Sequence, residues 1–244
     1  MIEKDIDIKT ADGVADCALF YPDEKGAWPG IIMYTDIGGL RPVFRDMARR
    51  LAAEGYAVLV PNPFYRLSRV PVYQDFKFGT DATTARMGEV RKVVTPAGIE
   101  RDAHAYVAFL TSQKQVKGGI GTVGYCMGGG MALRTAAAEP DKVAAAASFH
   151  GSNLASAEPD SPHTLAPRIK AQMYFGFAIE DRTMPPEAVE KLKAALDAAG
   201  ANYEGETYPG ARHGWCVKDH TVYHEHQAEH AWHHLGEFFK ATLK

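Results

Sequence analysis

Residues 120–130 constrain the fold of this chain more than any other stretch of its sequence. They read Ile-Gly-Thr-Val-Gly-Tyr-Cys-Met-Gly-Gly-Gly, an apolar segment typical of a buried strand, followed at once by a glycine-rich turn. Gly124, Cys126 and Gly128 form the nucleophile-elbow pattern G-x-S-x-G, with cysteine in place of serine. A strand that turns into a helix this sharply strains its apical residue, so the residues two positions away must be glycine to avoid a collision. The pattern predicts that Cys126 stands exposed at the N-terminus of a helix, where free N–H groups favour a thiolate.

The same run is compatible with two roles that involve no catalysis. Glycine-rich turns between a strand and a helix also bind phosphate groups, and a cysteine in such a turn can be a small buried hydrophobic residue. The run lacks the Lys-Ser/Thr ending of a P-loop and the G-x-G-x-x-G spacing of a dinucleotide site. The choice between these roles and a nucleophile therefore depends on the rest of the chain.

Composition excludes several classes of function. Hydrophobic residues make up 46% and charged residues 23% of the 244 positions, and the net charge is −3, which gives no indication of a nucleic-acid or membrane partner. Three scattered cysteines are not a disulfide framework. The first residues are acidic where a signal peptide would be apolar, and no apolar run approaches the length of a membrane span. We expect a cytoplasmic protein without a membrane partner.

The hydrophobic pattern predicts an α/β fold in one domain, residues 1–244. Strands and helices alternate along most of the chain, which favours a mostly parallel central sheet flanked by helices on both faces. Strands are predicted at 6–10, 15–21, 30–34, 56–60, 120–125, 143–149, 169–175 and 203–208, and helices at 42–54, 98–111, 127–138, 186–199 and 219–243. Residues 61–96 show no firm period and are predicted to form an irregular pocket wall or lid. A packed excursion whose aromatic residues belong to the core remains the alternative.

Three residue types needed for nucleophilic catalysis occur at predicted strand ends. Cys126 follows one strand, Asp181 follows another about 55 residues later, and His213 follows the last. The carboxyl ends of strands form the edge at which open α/β sheets bind ligands, and the order nucleophile, acid, histidine is that of the α/β-hydrolases. The backbone N–H groups of Met127 and Ile37 are the predicted oxyanion hole. Taken singly, Asp181 could instead be a helix cap and His213 a surface histidine.

Two further features invite a functional interpretation. The predicted last helix carries six histidines and could hold a metal ion through pairs spaced four residues apart. Its core stripe places His226, His230 and His233 toward solvent, so we expect no metal site. Cys216 lies close to His213 in sequence and could be a redox partner of Cys126, although a redox pair is the less favoured interpretation.

At the elbow, the acid and the histidine, the sequence resembles the dienelactone hydrolase (carboxymethylenebutenolidase) family of the α/β-hydrolase superfamily. The matching residues are Gly-Tyr-Cys126-Met-Gly-Gly, Glu-Asp181-Arg and Tyr-Pro-Gly-Ala-Arg-His213-Gly, and the spacing agrees along nearly the whole chain. The resemblance implies an eight-stranded sheet without a large cap domain, a Cys-His-Asp triad and no cofactor. It implies that Asp36 is an acid that contacts the resting thiol, one methylene shorter than the family's glutamate.

The same resemblance implies that arginines bind a substrate carboxylate. Arg86 is the expected counterpart in the lid region, and Arg212 and Trp215, beside His213, are further candidates for substrate binding. The expected function is hydrolysis of lactones or small carboxylic esters through an acyl-enzyme, by a monomer or small homo-oligomer. The alternatives are a promiscuous carboxylesterase or thioesterase, an amidotransferase-like or redox-sensing protein with a reactive cysteine, and a non-catalytic protein of the same fold.

Overall fold

The alternation of apolar strands with amphipathic helices produces one eight-stranded sheet. In the computed structural model, which describes residues 1–243, the strand order is β1-β2-β4-β3-β5-β6-β7-β8. Only β2 runs antiparallel to its neighbours, and the other pairings, from β4 to β8, are parallel. The strands are β1 (Ile2–Thr10), β2 (Gly13–Tyr21), β3 (Trp28–Tyr34), β4 (Ala57–Pro61), β5 (Val116–Tyr125), β6 (Val143–Phe149), β7 (Gln172–Glu180) and β8 (Tyr203–Arg212).

Helices cover both faces of this sheet, and each face has its own hydrophobic core. The helices are α1 (Pro42–Ala53), α2 (Asp81–Val93), α3 (Pro96–Ser112), α4 (Met127–Ala138), α5 (Pro186–Ala198) and α6 (Glu225–Thr242), with a short 3-10 helix at Pro162–Arg168. Helices α3, α4 and α5 pack on one face through residues such as Tyr106 and Leu192. Helices α1 and α6 pack on the other through Phe44 and Trp232. The predicted α/β architecture is confirmed.

The structure differs from the predicted local structure in several places. Residues 61–96 are not irregular throughout, because α2 occupies thirteen of them. The helix buries only Thr83 and Val90, so it has no continuous apolar stripe that would reveal a helical period. Its start is marked instead by Thr80, whose hydroxyl accepts a hydrogen bond from the Thr83 N–H. Helix α6 also begins at Glu225, six residues later than predicted.

The topology brings several loops to one edge of the sheet. Parallel strands β3, β5, β6, β7 and β8 all point their carboxyl ends the same way, so the residues that follow them meet there. These are the segments that contain Ile37, Cys126, Ser152, Asp181 and His213. Within the part of the chain that the structure describes, no helix combines the length and apolar character needed to cross a bilayer.

Candidate active site

Cys126 stands at a strained turn between β5 and α4. Its backbone has φ 56° and ψ −122°, a combination that residues other than glycine rarely adopt. The flanking glycines are required by contact: a Cβ on Gly124 would lie 1.9 Å from the Gly128 carbonyl oxygen, and a Cβ on Gly128 would lie 2.5 Å from that of Thr35. The turn therefore has the backbone geometry that the G-x-C-x-G pattern predicts, with Cys126 at its apex.

The structure brings the three predicted catalytic side chains into one line, with a serine between two of them. The Cys126 Sγ lies 3.3 Å from the Ser152 Oγ, which lies 3.5 Å from the His213 Nε2. On the other side of the ring, His213 Nδ1 lies 2.6 Å from Asp181 Oδ2. Asp181 is held in turn by the N–H and hydroxyl of Thr183 at 2.8 and 2.7 Å. The acid thus fixes the imidazole so that its second nitrogen faces the sulfur and hydroxyl.

The electrostatics of this line favour a protonated imidazole. Burial lowers the pKa of His213, but hydrogen bonds to Asp181 and Cys126, together with their charges, outweigh burial and raise the pKa to about 10. Burial raises the pKa of Asp181, but the hydrogen bond and charge of His213, together with the hydrogen bonds from Thr183, outweigh burial and leave the pKa below its ordinary value. An imidazolium at this position stabilises a thiolate, which is the attacking form of cysteine.

Two backbone N–H groups at the cavity that contains Cys126 are free to bind an oxygen atom. Met127 is the first residue of α4, and Ile37 lies in the loop after β3. Neither N–H donates a hydrogen bond to any group within residues 1–243. Both residues line the same cavity as Cys126. Free donors at a helix N-terminus can stabilise an oxygen that becomes negatively charged.

The cavity in front of Cys126 has a volume of about 590 Å³ and more apolar than polar surface. That size suits a small organic molecule. Helix α2 forms one wall, so the segment predicted as a pocket wall does reach the site. The lining residues are Asp36, Ile37, Phe78, Met87, Arg91, Val94, Cys126, Met127, Ser152, Asn153, Thr183, His213, His220, Thr221 and Val222.

Asp36 does not contact the thiol, contrary to the sequence-based expectation. Both of its oxygens accept hydrogen bonds from the Arg41 guanidinium, at 2.6 and 2.9 Å, and Oδ2 also lies 2.9 Å from His220 Nε2. Although burial raises the pKa of Asp36, the His220 and Arg41 contacts bring it well below the usual range. Within residues 1–243, no hydrogen bond joins Asp36 to the Cys126 sulfur, which lies instead beside the Ser152 hydroxyl. The carboxylate of Asp36 is therefore committed to a neighbouring ion-pair network.

None of the three expected substrate-binding side chains lines the cavity. Arg86 donates to the Val72 carbonyl and the Ser68 hydroxyl and pairs with Glu89. Arg212 is exposed and pairs with Glu180. Trp215 is fully buried, with its ring 5.1 Å from that of His150, and so belongs to the core beneath the site. The arginine that lines the cavity is Arg91, near the C-terminus of α2.

His150 supports the elbow from below, a role that the sequence did not indicate. Its Nδ1 accepts a hydrogen bond of 3.1 Å from the Cys126 N–H, and its ring lies edge-on to His213 at 5.1 Å. The residue is buried with φ 38°, and burial holds its pKa well below the ordinary value. His150 is therefore neutral, with its proton on Nε2, and packs against the face of the site without competing for charge.

Ser152 was also missed, although a signal for it exists. It lies three residues beyond the end of β6, the strand that pairs directly with the nucleophile strand β5. Its N–H donates to the Cys126 carbonyl oxygen at 3.0 Å, which places its hydroxyl beside the sulfur. A hydroxyl side chain just after the neighbouring parallel strand was the feature that could have identified it.

The histidines of α6 are only partly placed as expected. His226 and His233 are exposed, but His230 is half-buried and faces Glu206 on β8. Cys216 does not line the cavity of Cys126 and lies instead beside Met47 and Tyr125, under α6. The structure therefore does not bring the two cysteines together as a redox pair.

Comparisons with known proteins identify relatives of this chain by sequence and by fold. The family model described as the dienelactone hydrolase family matches residues 16–243. A carboxymethylenebutenolidase of Rhodococcus opacus is 28% identical over 229 residues, which cover 92% of this chain and 86% of that protein. The crystal structure of a dienelactone hydrolase from Anabaena variabilis superposes with a TM-score of 0.70 at 18% identity, covering 100% of this chain and 99% of that chain. A dienelactone hydrolase-like promiscuous phosphotriesterase from metagenomic libraries has the same coverage, a TM-score of 0.81 and 19% identity.

Proposed function

Because this chain belongs to the dienelactone hydrolase family, we propose that it hydrolyses lactones or small carboxylic esters through an acyl-enzyme on Cys126. The observation that carries the proposal is the line Cys126–Ser152–His213–Asp181 at the mouth of an apolar cavity. Nucleophile, base and orienting acid are the three parts that covalent ester hydrolysis needs. The family relationship supports the ester substrate class, and the geometry supports the chemistry.

Attack begins with loss of the Cys126 proton to His213. The proton passes to Nε2, which faces the sulfur across the Ser152 hydroxyl, while Asp181 stabilises the resulting imidazolium. The thiolate adds to the carbonyl carbon of the ester, and the electron pair of the C=O bond moves to oxygen. The N–H groups of Met127 and Ile37 donate hydrogen bonds to this oxyanion. Loss of one such donor typically reduces kcat about 10²–10³-fold.

The tetrahedral intermediate collapses by breaking the C–O bond to the leaving group. His213 returns its proton to that oxygen, and a thioester remains on Cys126. Water then loses a proton to His213 Nε2 and attacks the thioester carbonyl, and the departing sulfur regains the thiol proton. The products are a carboxylic acid and an alcohol, or a single hydroxy or oxo acid when the substrate is a lactone.

The cavity indicates a substrate with an apolar body and one anionic group. Its surface is mostly apolar, and Arg91 is the one arginine among its lining residues. Within the described part of the chain, Arg91 forms no ion pair, so its guanidinium is available to a carboxylate. We therefore assign to Arg91 the role that the sequence resemblance suggested for Arg86.

The proposal is tested by replacing the nucleophile. Cys126→Ala removes the attacking atom, so we expect kcat/KM for an aryl acetate and for a dienelactone to fall about 10³-fold or more. Cys216→Ala removes a cysteine outside the cavity and should leave both rates within about twofold. Mass spectrometry of the rapidly quenched parent enzyme should show an acetylated peptide containing Cys126.

Two outcomes would overturn this proposal. Equal hydrolysis by Cys126→Ala and the parent protein would exclude the acyl-enzyme. Rapid reaction of Cys126 with peroxide, together with no hydrolysis of any ester by the parent, would favour a redox sensor or a non-catalytic protein. Faster turnover of acyl thioesters than of oxygen esters would retain the mechanism and change the substrate class.

A further inference from the structure

Two histidines of α6 and one glutamate of β8 converge outside the cavity that contains Cys126. His230 and His234 are four residues apart, so both side chains lie on one face of the helix. Their Nε2 atoms are 2.9 Å apart. The Glu206 carboxylate lies 3.8 Å from His230 Nδ1 and 3.5 Å from His234 Nε2. One ligand atom from each residue falls within 4.8 Å of the other two.

The charges at this cluster are arranged to receive a cation. Within residues 1–243, Glu206 pairs with the two histidines and with no lysine or arginine. The two facing Nε2 atoms share a single hydrogen-bonding proton at most, so one of them always presents a lone pair to the other. Adding a second proton would place two N–H groups against each other. The cluster therefore offers a carboxylate that no lysine or arginine neutralises, together with at least one nitrogen lone pair.

We propose that Glu206, His230 and His234 form a binding site for a divalent metal ion of the zinc type. Two imidazoles and one carboxylate with an open fourth position for water are a ligand set that zinc prefers. At Zn–N distances of about 2.0–2.1 Å, tetrahedral coordination places two nitrogens about 3.3 Å apart. The Nε2 atoms need to separate by only about 0.4 Å to reach that distance, and the Glu206–His234 separation of 3.5 Å is already close to it.

Aromatic neighbours hold both imidazoles in place. The Tyr174 ring stacks on His234 with centroids 5.8 Å apart, and the Tyr208 ring packs edge-on to His230 at 5.4 Å. The two tyrosine hydroxyls hydrogen bond to each other at 2.8 Å beneath the cluster. The side chains of all three ligands remain 34–41% exposed, so an ion can enter from solvent. Ligands oriented before binding lose little conformational freedom when the ion arrives.

A metal at this position would connect the last strand to the last helix. Strand β8 is one of the two edge strands of the sheet, and it ends one residue before His213. Helix α6 covers β6, β7 and β8. Because the ion binds the folded arrangement and not the separated strand and helix, binding stabilises the native state by linkage. The proposal is independent of the reaction at Cys126.

The test is zinc titration of the full-length protein by calorimetry and by thermal unfolding. All proteins carry Cys126→Ala, which removes the thiol of the active site as a competing ligand. We expect one equivalent of Zn²⁺ to bind with a micromolar or lower Kd, and a hundredfold excess over Kd to raise Tm by about 5 °C or more. Ni²⁺ and Cu²⁺ should bind as well, because imidazole ligands accept both ions.

Matched variants locate the ion. His230→Gln and His234→Gln should each weaken zinc binding at least tenfold, which at the same zinc concentration reduces the rise in Tm by about half or more. His233→Gln removes an exposed histidine of the same helix that lies outside the cluster, and it should bind zinc like the parent. Glu206→Gln keeps the shape of the third ligand and should reduce affinity because its charge is lost. Far-UV circular dichroism and the Tm without metal establish that each variant is folded.

Two results would overturn the proposal. One is the absence of a stoichiometric zinc site in the parent. The other is equal zinc affinity in His233→Gln and in the double variant His230→Gln/His234→Gln, which would mean adventitious binding to surface histidines.

Discussion

The Asp181–His213 pair determines when the proposed nucleophile is active. The ion pair is complete only when Asp181 is ionised and His213 is protonated. The pKa of His213 is raised to about 10, so its stabilising contribution is full below its ordinary pKa of 6.5 and is lost as pH rises through about 10. The pKa of Asp181 is lowered, so the stabilisation that this carboxylate contributes is present above pH 3.8 and is lost as the pH falls below that value.

We predict that Asp181→Asn lowers kcat/KM about 10²–10⁴-fold, because the amide neither orients His213 nor stabilises its positive charge. Without that charge, the pKa of His213 should fall, so imidazolium is lost at lower pH. The measurements are a pH–rate profile and an NMR titration of the ring C–H protons. The control is Asp141→Asn, which replaces an exposed acid paired with Lys170. It should change neither the pH–rate profile nor the titration of His213. An unchanged His213 titration in Asp181→Asn would contradict this account.

At the level of single residues, the sequence predicts best what is encoded by local backbone geometry and chain order. Gly124 and Gly128 identify the strained turn because any Cβ there collides with backbone. Asp181 and His213 follow from their positions after strands of one sheet. The roles of Ser152 and His150 are harder to predict. The directions of their side chains depend on a positive φ at His150, and no sequence pattern indicates that φ.

At the level of secondary structure, helix α2 explains why Arg91, and not Arg86, reaches the cavity. The two arginines are five residues apart, which on a helix of 3.6 residues per turn places them about 140° apart. One therefore points to Ser68 and Val72 and the other to the cavity. A segment without a visible helical period gives no means of distinguishing these directions. Side-chain direction is thus the information that the sequence lacks.

We predict that Arg91→Ala raises KM about tenfold or more for a lactone with a carboxylate and changes it little for a neutral aryl acetate. Loss of a charge-assisted hydrogen bond costs about 1.5–3 kcal/mol, which corresponds to this change. Lys92→Ala removes the neighbouring positive charge, on a residue that does not line the cavity, and is the control. Steady-state kinetics on both substrates make the comparison. Equal effects of the two variants on the charged lactone would indicate general electrostatics instead of direct contact.

At the level of the whole molecule, the Asp36 network connects segments that are distant in sequence. Arg41, at the start of α1, binds both Asp36 after β3 and Asp219 in the segment before α6. His220 joins the same carboxylate. Because the pKa of Asp36 is lowered, the stabilisation that its ion pairs contribute is present above pH 3.8 and is lost as the pH falls below that value.

We predict that Asp36→Asn destabilises the protein by about 3 kcal/mol at pH 7, because it leaves Arg41 largely buried with one partner fewer. For a chain of this size the corresponding fall in Tm is about 6–12 °C. The difference from the parent should narrow as pH falls toward 2. Asp219→Asn, at a partly exposed carboxylate, should cost less than about 1 kcal/mol. The measurement is thermal unfolding of both proteins across this pH range. If the loss of stability in Asp36→Asn is the same at every pH, the loss does not come from broken ion pairs.

The strand order separates the two halves of the proposed chemistry. The sulfur is carried by β5, between two neighbouring strands in the middle of the sheet, whereas the imidazole follows β8, which has a neighbour on one side only. We therefore expect substitutions along that outer strand to move the proton acceptor more than the nucleophile. To adapt the site to new substrates, substitutions are therefore best made along the edge strand, which positions the histidine. The central strand, which positions the sulfur, is best left unchanged.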